Sequence, residues 1–532
     1  MSRRLTPPFI DVGGSLPDDI RAAAKIIGTA AAHTHPVTSG YFLGTTYAAV
    51  LPDEIRAGLG VYYTPPALAE RLLDQATAAG VDWSTCTVLD PACGGGAFLA
   101  PAAQRIVKQS SHLEPAALIH EVTSRIKGFE LDPFAAWMSQ VFVEATLLPL
   151  CRETEAPIPI MAEVCDTLMA DPGPHRYDLV IGNPPYGRVS LPRDLRERYS
   201  RSLHGHANLY GIFTDVALRW VRPGGVIAYV TPTSFLSGEY FTRLRALLAR
   251  EAPPASIDFI GRRKGVFDDV LQQALLATYR KNSNQSEAGA WVVAPNDIGE
   301  VSVARAGSFL LPNDGREPWL VPRSCEQSDL VARMRVMPHR LVDWGYQVST
   351  GPLVWNRHKS QLQAQHGKGT LPLVWAEAVT QEGRFVFRAG KKNHQPYFRP
   401  KAKEDWLIVR APCVLLQRTT APEQGRRLYA AELPSSFLKR YGGAVVENHL
   451  NMVRPTGPRP AVPSTVLAAF LNSQVADVAF RCINGSVAVS AYELESLPLP
   501  PPKTLGPVTA MIEAGAKADD IERAFAHLYA NP

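Results

Sequence analysis

The residues with the most evident chemical capacity lie in one stretch, Asp178 to Tyr186, DLVIGNPPY. The apolar run ending at Ile181 reads as a short buried strand that stops at Gly182. It delivers a carboxamide, two prolines and an aromatic ring to one strand end. The Asn183 side-chain oxygen can accept one N–H bond and the Pro184 carbonyl a second. The proline rings restrict the backbone, so that carbonyl keeps its direction. Tyr186 offers a flat face for stacking. Two acceptors converging beside a ring suit the holding of a planar amine or amide, at the place where positive charge develops on its nitrogen. No cysteine nucleophile is needed, and none sits here. The alternative is a proline-rich turn after a core strand, and the remaining motifs decide between the two.

Four other segments bear on that choice. In TVLDPACGGGAFLAPAAQRIV (Thr87 to Val107), Val88 and Leu89 form a strand, Asp90 sits at its end, and a loop through Gly94, Gly95 and Gly96 leads into a helix. Glycines allow close approach of a ligand to backbone, which makes Ala92, Gly94 and Gly96 candidate contacts. A strand, glycine loop and helix form the nucleotide-binding start of an open α/β sheet. The pattern is neither G-x-G-x-x-G nor a P-loop, because no Lys-Ser/Thr follows. The second strand, within IKGFELDPFAA, ends in Glu130, where an acid can chelate ribose hydroxyls. Asp132 then reads as an N-cap. A third strand, PIMAEVCD, ends at Asp166. Upstream, GVYYTPPALAERLLDQA (Gly60 to Ala76) reads as a helix with Thr64 as N-cap, Pro65 in the first turn and an apolar face of Leu68, Leu72 and Leu73. Its start could face a carboxylate. Four strand ends thus bring Asp90, Glu130, Asp166 and Asn183 to one edge of a parallel sheet.

The tetrapeptide Asn183-Pro184-Pro185-Tyr186 resembles the target-amine motif of the amino-methyltransferases that use S-adenosylmethionine. Asp90 to Leu99 resembles their motif D-P-A-C-G-x-G-x-F-L, and Tyr63-Thr64-Pro65 resembles the segment preceding it. The Asn208-Leu209-Tyr210-Gly211 start also resembles theirs. The resemblance covers residues 60 to 281, and more weakly 290 to 505. It implies an α/β fold with a Rossmann-like, seven-stranded S-adenosylmethionine-dependent methyltransferase domain, followed by a mixed α/β target-recognition domain. It implies that Thr64 meets the methionine carboxylate, Asp90 the methionine amine and Asp166 the adenine amine of the cofactor. Phe267 then stacks on the far face of an extruded base; otherwise it is a core phenylalanine before a strand. The motif order resembles the gamma class of N6-adenine DNA methyltransferases of type II restriction–modification systems, with a looser likeness to the XhoI-like group that modifies CTCGAG. This implies methylation of duplex DNA beside a separate restriction endonuclease, by a monomer that needs no metal. RNA N6-adenine and protein glutamine methyltransferases remain alternatives. A fused endonuclease is disfavoured, since no convincing P-D-x(n)-[DE]-x-K cluster lies outside the core.

These motifs need a scaffold. The chain has 532 residues, too many for one core. The expected organisation is an N-terminal helical extension (1–59), a catalytic domain (60–285) and a target-recognition domain with a C-terminal helical segment (286–532). Hydrophobic residues make up 46% and charged residues 20%, as in a globular chain. No apolar run reads as a membrane span and no secretory leader is evident, so a cytoplasmic protein without a membrane partner is expected. Seven dispersed cysteines argue against a disulfide framework or structural zinc. The net charge of +5 permits nucleic-acid binding without requiring it. Two basic–aromatic stretches do suggest phosphate contact, Trp355 to Lys359 and Arg384 to Arg410. The second holds Lys391, Lys392, Arg399 and Lys401.

Overall fold

The computed structural model describes residues 6, 9, 17–52, 63–154, 158–171, 177–261, 274–295, 300–420, 425–483 and 488–531. Phe267 lies outside them. The chain divides into two compact units, one of residues 1–235 and 240–316, the other of 236–239 and 317–532.

The first unit begins with helices α1 (Asp18–His33), α2 (Pro36–Val50) and α3 (Pro66–Ala78). There follow β1 (Val88–Asp90), α4 (Leu99–Gln109), α5 (Pro115–Arg125), β2 (Ile126–Glu130), α6 (Pro133–Cys151), β3 (Ala162–Val164) and β4 (Tyr177–Gly182). A small hairpin, β5 (Arg188–Val189) and β6 (Ala207–Asn208), carries α7 (Arg193–Arg198) between its strands. The unit continues with α8 (Leu209–Trp220), β7 (Val221–Pro232), α9 (Thr242–Glu251), β8 (Pro254–Ile260), β9 (Ala274–Arg280), β10 (Glu287–Pro295) and β11 (Val301–Leu310).

Nine strands form one sheet in the order β11-β10-β8-β9-β7-β4-β1-β2-β3. All neighbours from β3 to β7 are parallel, and β9 runs antiparallel between β7 and β8. The expected seven strands are present, and β10 and β11 extend them on the β8 side. The boundary expected at 285 therefore moves to Arg316. The polar segment around 282–286 is the passage between two strands of one sheet. The N-terminal helices belong to this unit too, because Gly40 of α2 lets the Phe142 ring of α6 approach.

Leu179, Val180 and Ile181 of β4 are wholly buried, as are Ile227 to Val230 of β7. Such continuous apolar runs are what a sheet covered on both faces requires. Each buried Leu or Ile contributes about 1.5–3 kcal/mol, so an acid at Leu179 would break the site's scaffold at its centre. Among the described residues α6 alone is long and apolar enough to cross a membrane. It is a core helix here, with Met138, Val143 and Leu147 buried against the sheet side and Glu144 bonded to Gln140.

The second unit holds β12 (Tyr346–Thr350), β13 (Leu362–Gln363), β14 (Leu371–Val374), β15 (Tyr397–Phe398), β16 (Ile408–Val409), β17 (Cys413–Gln417), β18 (Ala430–Leu433), β19 (Ala444–Val446) and β20 (Leu450–Pro455). They form a four-stranded sheet, β12-β20-β17-β18, and a five-stranded one, β13-β15-β14-β19-β16. Helices Ser464–Leu471 and Ala518–Ala530 pack a core in which Phe470 meets Trp344 edge to face and lies parallel to Tyr529.

Candidate active site

The carboxyl ends of β1, β2 and β4 meet in a cavity of about 270 Å³ within the first unit. Asp90 closes β1 at 1% exposure. Its Oδ1 accepts from the Ala92 N–H at 3.1 Å, while Oδ2 is buried with no hydrogen-bond partner among the described residues. Burial pushes its carboxyl well above the usual range. A side chain at Gly182 would come within 2.7 Å of that carboxylate, which explains the glycine that ends β4.

The loop after β1 turns through Gly94 and Gly96 at φ +49° and +82°, a region that favours glycine. Gly94 N–H donates to Glu130 Oε2 at 2.8 Å, and the other Glu130 oxygen accepts from Leu131 and Asp132. The acid is thereby locked at the end of β2. Burial raises its pKa against these lowering bonds. Asp132 caps α6 through Phe134 N–H and accepts the Tyr47 hydroxyl at 2.6 Å. Burial first, then Asp132, pushes that phenol up to about 12. Asp166 lies two residues beyond β3 on the exposed rim, where it accepts from Leu168 N–H at 3.0 Å.

The cavity lining contains four acids, Asp90, Glu130, Asp132 and Asp166, and no lysine, arginine or histidine. A negatively lined cavity with a buried, unsatisfied carboxylate oxygen suits a ligand with a cationic head and hydroxyl or amine donors. It suits a pyrophosphate poorly. The donor set therefore fits a nucleoside sulfonium that carries an amino-acid chain, with an ammonium, ribose hydroxyls and a base amine to donate.

Thr64 is 2% exposed, and its Oγ1 accepts from Asn183 Nδ2 at 3.2 Å. It does not cap α3. Pro65 is the N-cap and Pro66 the first helical residue. The residue before a proline is pushed out of the α region, so the first proline of Thr-Pro-Pro cannot open the helix. Thr64 thereby gains a different task, fixing which face of the Asn183 amide carries oxygen. Pro184 is buried, and Asn183 and Pro185 both border the cavity. The Tyr186 ring meets Tyr210 edge to face at 6.2 Å, and Tyr210 stacks on Phe241 at 5.0 Å. A braced ring thus stands beside the amide.

Two contributors escape the sequence argument. Tyr63 borders the cavity at 8% exposure, with its hydroxyl buried and unpartnered among the described residues. Its ring lies so close to Gly44 and Gly95 that a Cβ at either would fall within 2.6 Å. The only signal was its place before Thr64. Thr167 donates to the Pro91 carbonyl at 2.6 Å and ties the β3 turn to the β1 loop. Cys93, in contrast, is 3% exposed with its thiol pushed up by burial, so it is packing rather than a reactive thiolate.

In the second unit, Lys391, Lys392, Arg399 and Lys401 are all exposed. Lys392 and Asn393 share a shallow depression with Trp355 and Lys359, which joins the two basic–aromatic stretches. The Lys359 ammonium stands 5.7 Å from the Trp355 ring centre.

The strand order, the reversed β9 and the cavity at the strand ends define the class I methyltransferase fold. Residues 152–267 match the Eco57I restriction-modification methylase family. Type II methyltransferase M.PstI of Providencia stuartii is 25% identical over 373 residues, 68% of this chain and 73% of that one. Type II methyltransferase M.XhoI of Xanthomonas vasicola is 25% identical over 334 residues, 58% of this chain and 60% of that one. The likeness to M.XhoI is thus no greater than that to M.PstI. The solved type IIL restriction-modification enzyme MmeI shares the fold at a TM-score of 0.58 and 12% identity, covering 92% of this chain and 79% of that one.

Proposed function

We propose that this protein is a site-specific DNA methyltransferase of a restriction–modification system, acting in the cytoplasm as a monomer. Its methyl donor is S-adenosylmethionine and its target the N6 amine of adenine in a short duplex sequence. Modification at that sequence protects DNA from a separate restriction endonuclease. The second unit is the target-recognition domain, and CTCGAG is the first sequence to test. The observation that carries the reading is the Asn183 amide, fixed by Thr64 beside a braced tyrosine at the mouth of an acid-lined cavity.

When bound, the donor supplies an electrophilic methyl group on sulfur. The residues of this chain do the rest. Asp90, Glu130 and Asp166 orient the donor by its ammonium, ribose and base amine. The target base leaves the duplex stack at a cost of a few kcal/mol and lies against Tyr186. Asn183 Oδ1 and the Pro184 carbonyl accept its two N–H bonds, which draws the nitrogen lone pair out of the ring system. These acceptors also stabilise the positive charge that develops on nitrogen. Neither is basic enough to keep the proton, which passes to solvent after transfer. Holding the reactants in line accounts for most of the acceleration.

The test is tritium transfer from labelled S-adenosylmethionine into duplex DNA, RNA and cell protein in parallel, followed by nucleoside and amino-acid analysis. Label in N6-methyladenine of DNA is expected. Label confined to RNA or glutamine would keep the donor site and overturn the substrate. Asn183→Ala should abolish transfer while DNA binding persists, and full activity in that variant would overturn the role of Asn183.

A further inference from the structure

Immediately after Tyr186 the chain leaves the sheet at Gly187 (φ +114°) and forms the hairpin of β5 and β6 with α7 at its tip. Val189 of β5 is part of the cavity wall, and Leu209 N–H bonds to the Gly187 carbonyl, so the hairpin base is fixed to the amine-holding motif. Residues 187–206 contain five arginines (188, 193, 196, 198, 201) against two acids (Asp194, Glu197). That is a net +3, more than half of the +5 carried by all 532 residues.

These arginines divide into two sets. Arg198 donates to the Met169 carbonyl at 3.2 Å, and Arg201 pairs with Asp215 and Glu251. Tyr199 between them is 1% exposed and donates to the Leu168 carbonyl at 2.9 Å. Arg198 and Tyr199 bolt the insert to the turn that carries Asp166, and Arg201 bolts it to α8 and α9. The other set faces solvent: Arg188, Arg193 and Arg196, with His204 and His206 on the returning strand side and Arg243 of α9 alongside, its guanidinium on the Ser200 carbonyl. Arg188 stands 5.5 Å from the Tyr240 ring centre and the His206 ring meets the same tyrosine at 5.1 Å. Among the described residues Arg188 has no acidic partner, whereas Arg193 pairs with Glu197 at 2.9 Å on the solvent side and Arg196 donates to the Gly205 carbonyl at 2.7 Å. A rigidly anchored element with outward guanidinium groups, attached to the rim of an acid-lined cavity, has the opposite sign to that cavity. It has the charge to bind a polyanion and the rigidity to hold it in register.

We propose that the hairpin insert Arg188–Asn208 is a phosphate clamp, gripping the DNA backbone beside the nucleotide that enters the cavity. The inference rests on duplex DNA being the substrate. It places part of the DNA contact in the first unit, independent of any contact made by Lys391 and Lys392 in the second. Arg188 and Arg193 contact phosphates, while Arg198 and Arg201 act through the fold.

The test is binding of a fluorescein-labelled duplex, followed by anisotropy over a salt series, for the full-length protein and for Arg188→Ala/Arg193→Ala. Each phosphate contact adds about 0.9 to the slope of log affinity against log salt, which is roughly eightfold in affinity at 0.1 M salt if the contact vanishes near 1 M. The double variant should lose about 1.8 from the slope and up to about 60-fold in affinity. Its melting temperature and its S-adenosylmethionine affinity by calorimetry should match wild type. Lys108→Ala, at the C-terminal end of α4 and hence away from the strand ends that form the cavity, should keep the full slope. An unchanged slope in the double variant, with wild type binding DNA, would overturn the clamp. Wild type that neither binds nor methylates duplex DNA would overturn the functional reading beneath it.

Discussion

Thr64→Val gives the sharpest test of how the amide is set. Valine keeps the shape and burial of threonine but removes Oγ1, which accepts Asn183 Nδ2 at 3.2 Å. With Thr64 2% exposed, no water replaces the lost acceptor easily. The amide then either keeps its orientation with a buried N–H unsatisfied, or rotates and presents NH2 to the target amine instead of oxygen. The first outcome costs about 1–3 kcal/mol, the usual penalty for an orphaned buried donor. If that cost falls on the transition state, kcat drops roughly 5- to 150-fold, at 1.36 kcal/mol per tenfold. Thr64→Ser keeps the hydroxyl and should restore most of the rate. The assay is single-turnover methyl transfer at saturating DNA and donor, with donor affinity measured separately by calorimetry. A role confined to the donor's carboxylate would show as weaker donor binding with an unchanged single-turnover rate. That result would refute the positioning argument.

Asp90→Asn should stabilise the free protein while weakening donor binding by about 10- to 150-fold, the range for hydrogen bonds to charged groups. The burial-raised carboxyls of Asp90 and Glu130 hold protons in the native state that the unfolded chain has released, so the stability these two groups contribute is full below about pH 4 and is lost as pH rises through the raised values. Melting curves across that range should show a shallower decline for Asp90→Asn, and an identical decline would remove Asp90 from the account. Replacing Lys391 and Lys392 by alanine should weaken DNA binding and lower its salt slope by up to about 1.8, read by the same anisotropy series. An unaltered slope would take the second unit's DNA surface away from these exposed lysines.

The strand ends were legible because each pairs a short apolar run with a polar residue that has no packing role. Asp90, Glu130 and Asn183 stand where that pattern puts them, and all border one cavity. Thr64 borders the site without capping the helix, because Pro65 precedes Pro66 and a residue before proline avoids the helical region. Tyr63 carries no motif signal of its own, because its value lies in contacts with Gly44 and Gly95, each distant from it in sequence. The first compact unit runs on to Arg316 rather than ending at 285 for a similar reason. NSNQSEAGA has linker composition, but whether the next strand starts a new sheet or joins the old one depends on pairing with β8. In the second unit β13, β15 and β16 have two residues each, too few for any periodicity to register.

What the sequence conceals most completely is the arrangement of sign. The cavity is acidic without a basic residue in its lining, and the hairpin attached to its rim is basic. Only tertiary contacts separate the arginines that bolt the hairpin down from those that face outward. Between the two zones stands a set of uncharged groups, the Asn183 amide, Pro184, Pro185 and the Tyr186 ring. A formal charge there would either repel one reactant or bind it too firmly in the ground state, which lowers the gain at the transition state. Amide and carbonyl dipoles avoid this. They act weakly on a neutral amine and more strongly as that amine gains charge, so their stabilisation grows along the reaction. An Asn183→Asp variant would add a full negative charge beside Asp90 in a buried site, where a carboxylate tends to take up a proton and present a donor instead. An asparagine is therefore the residue type that this boundary between an acidic and a basic zone demands.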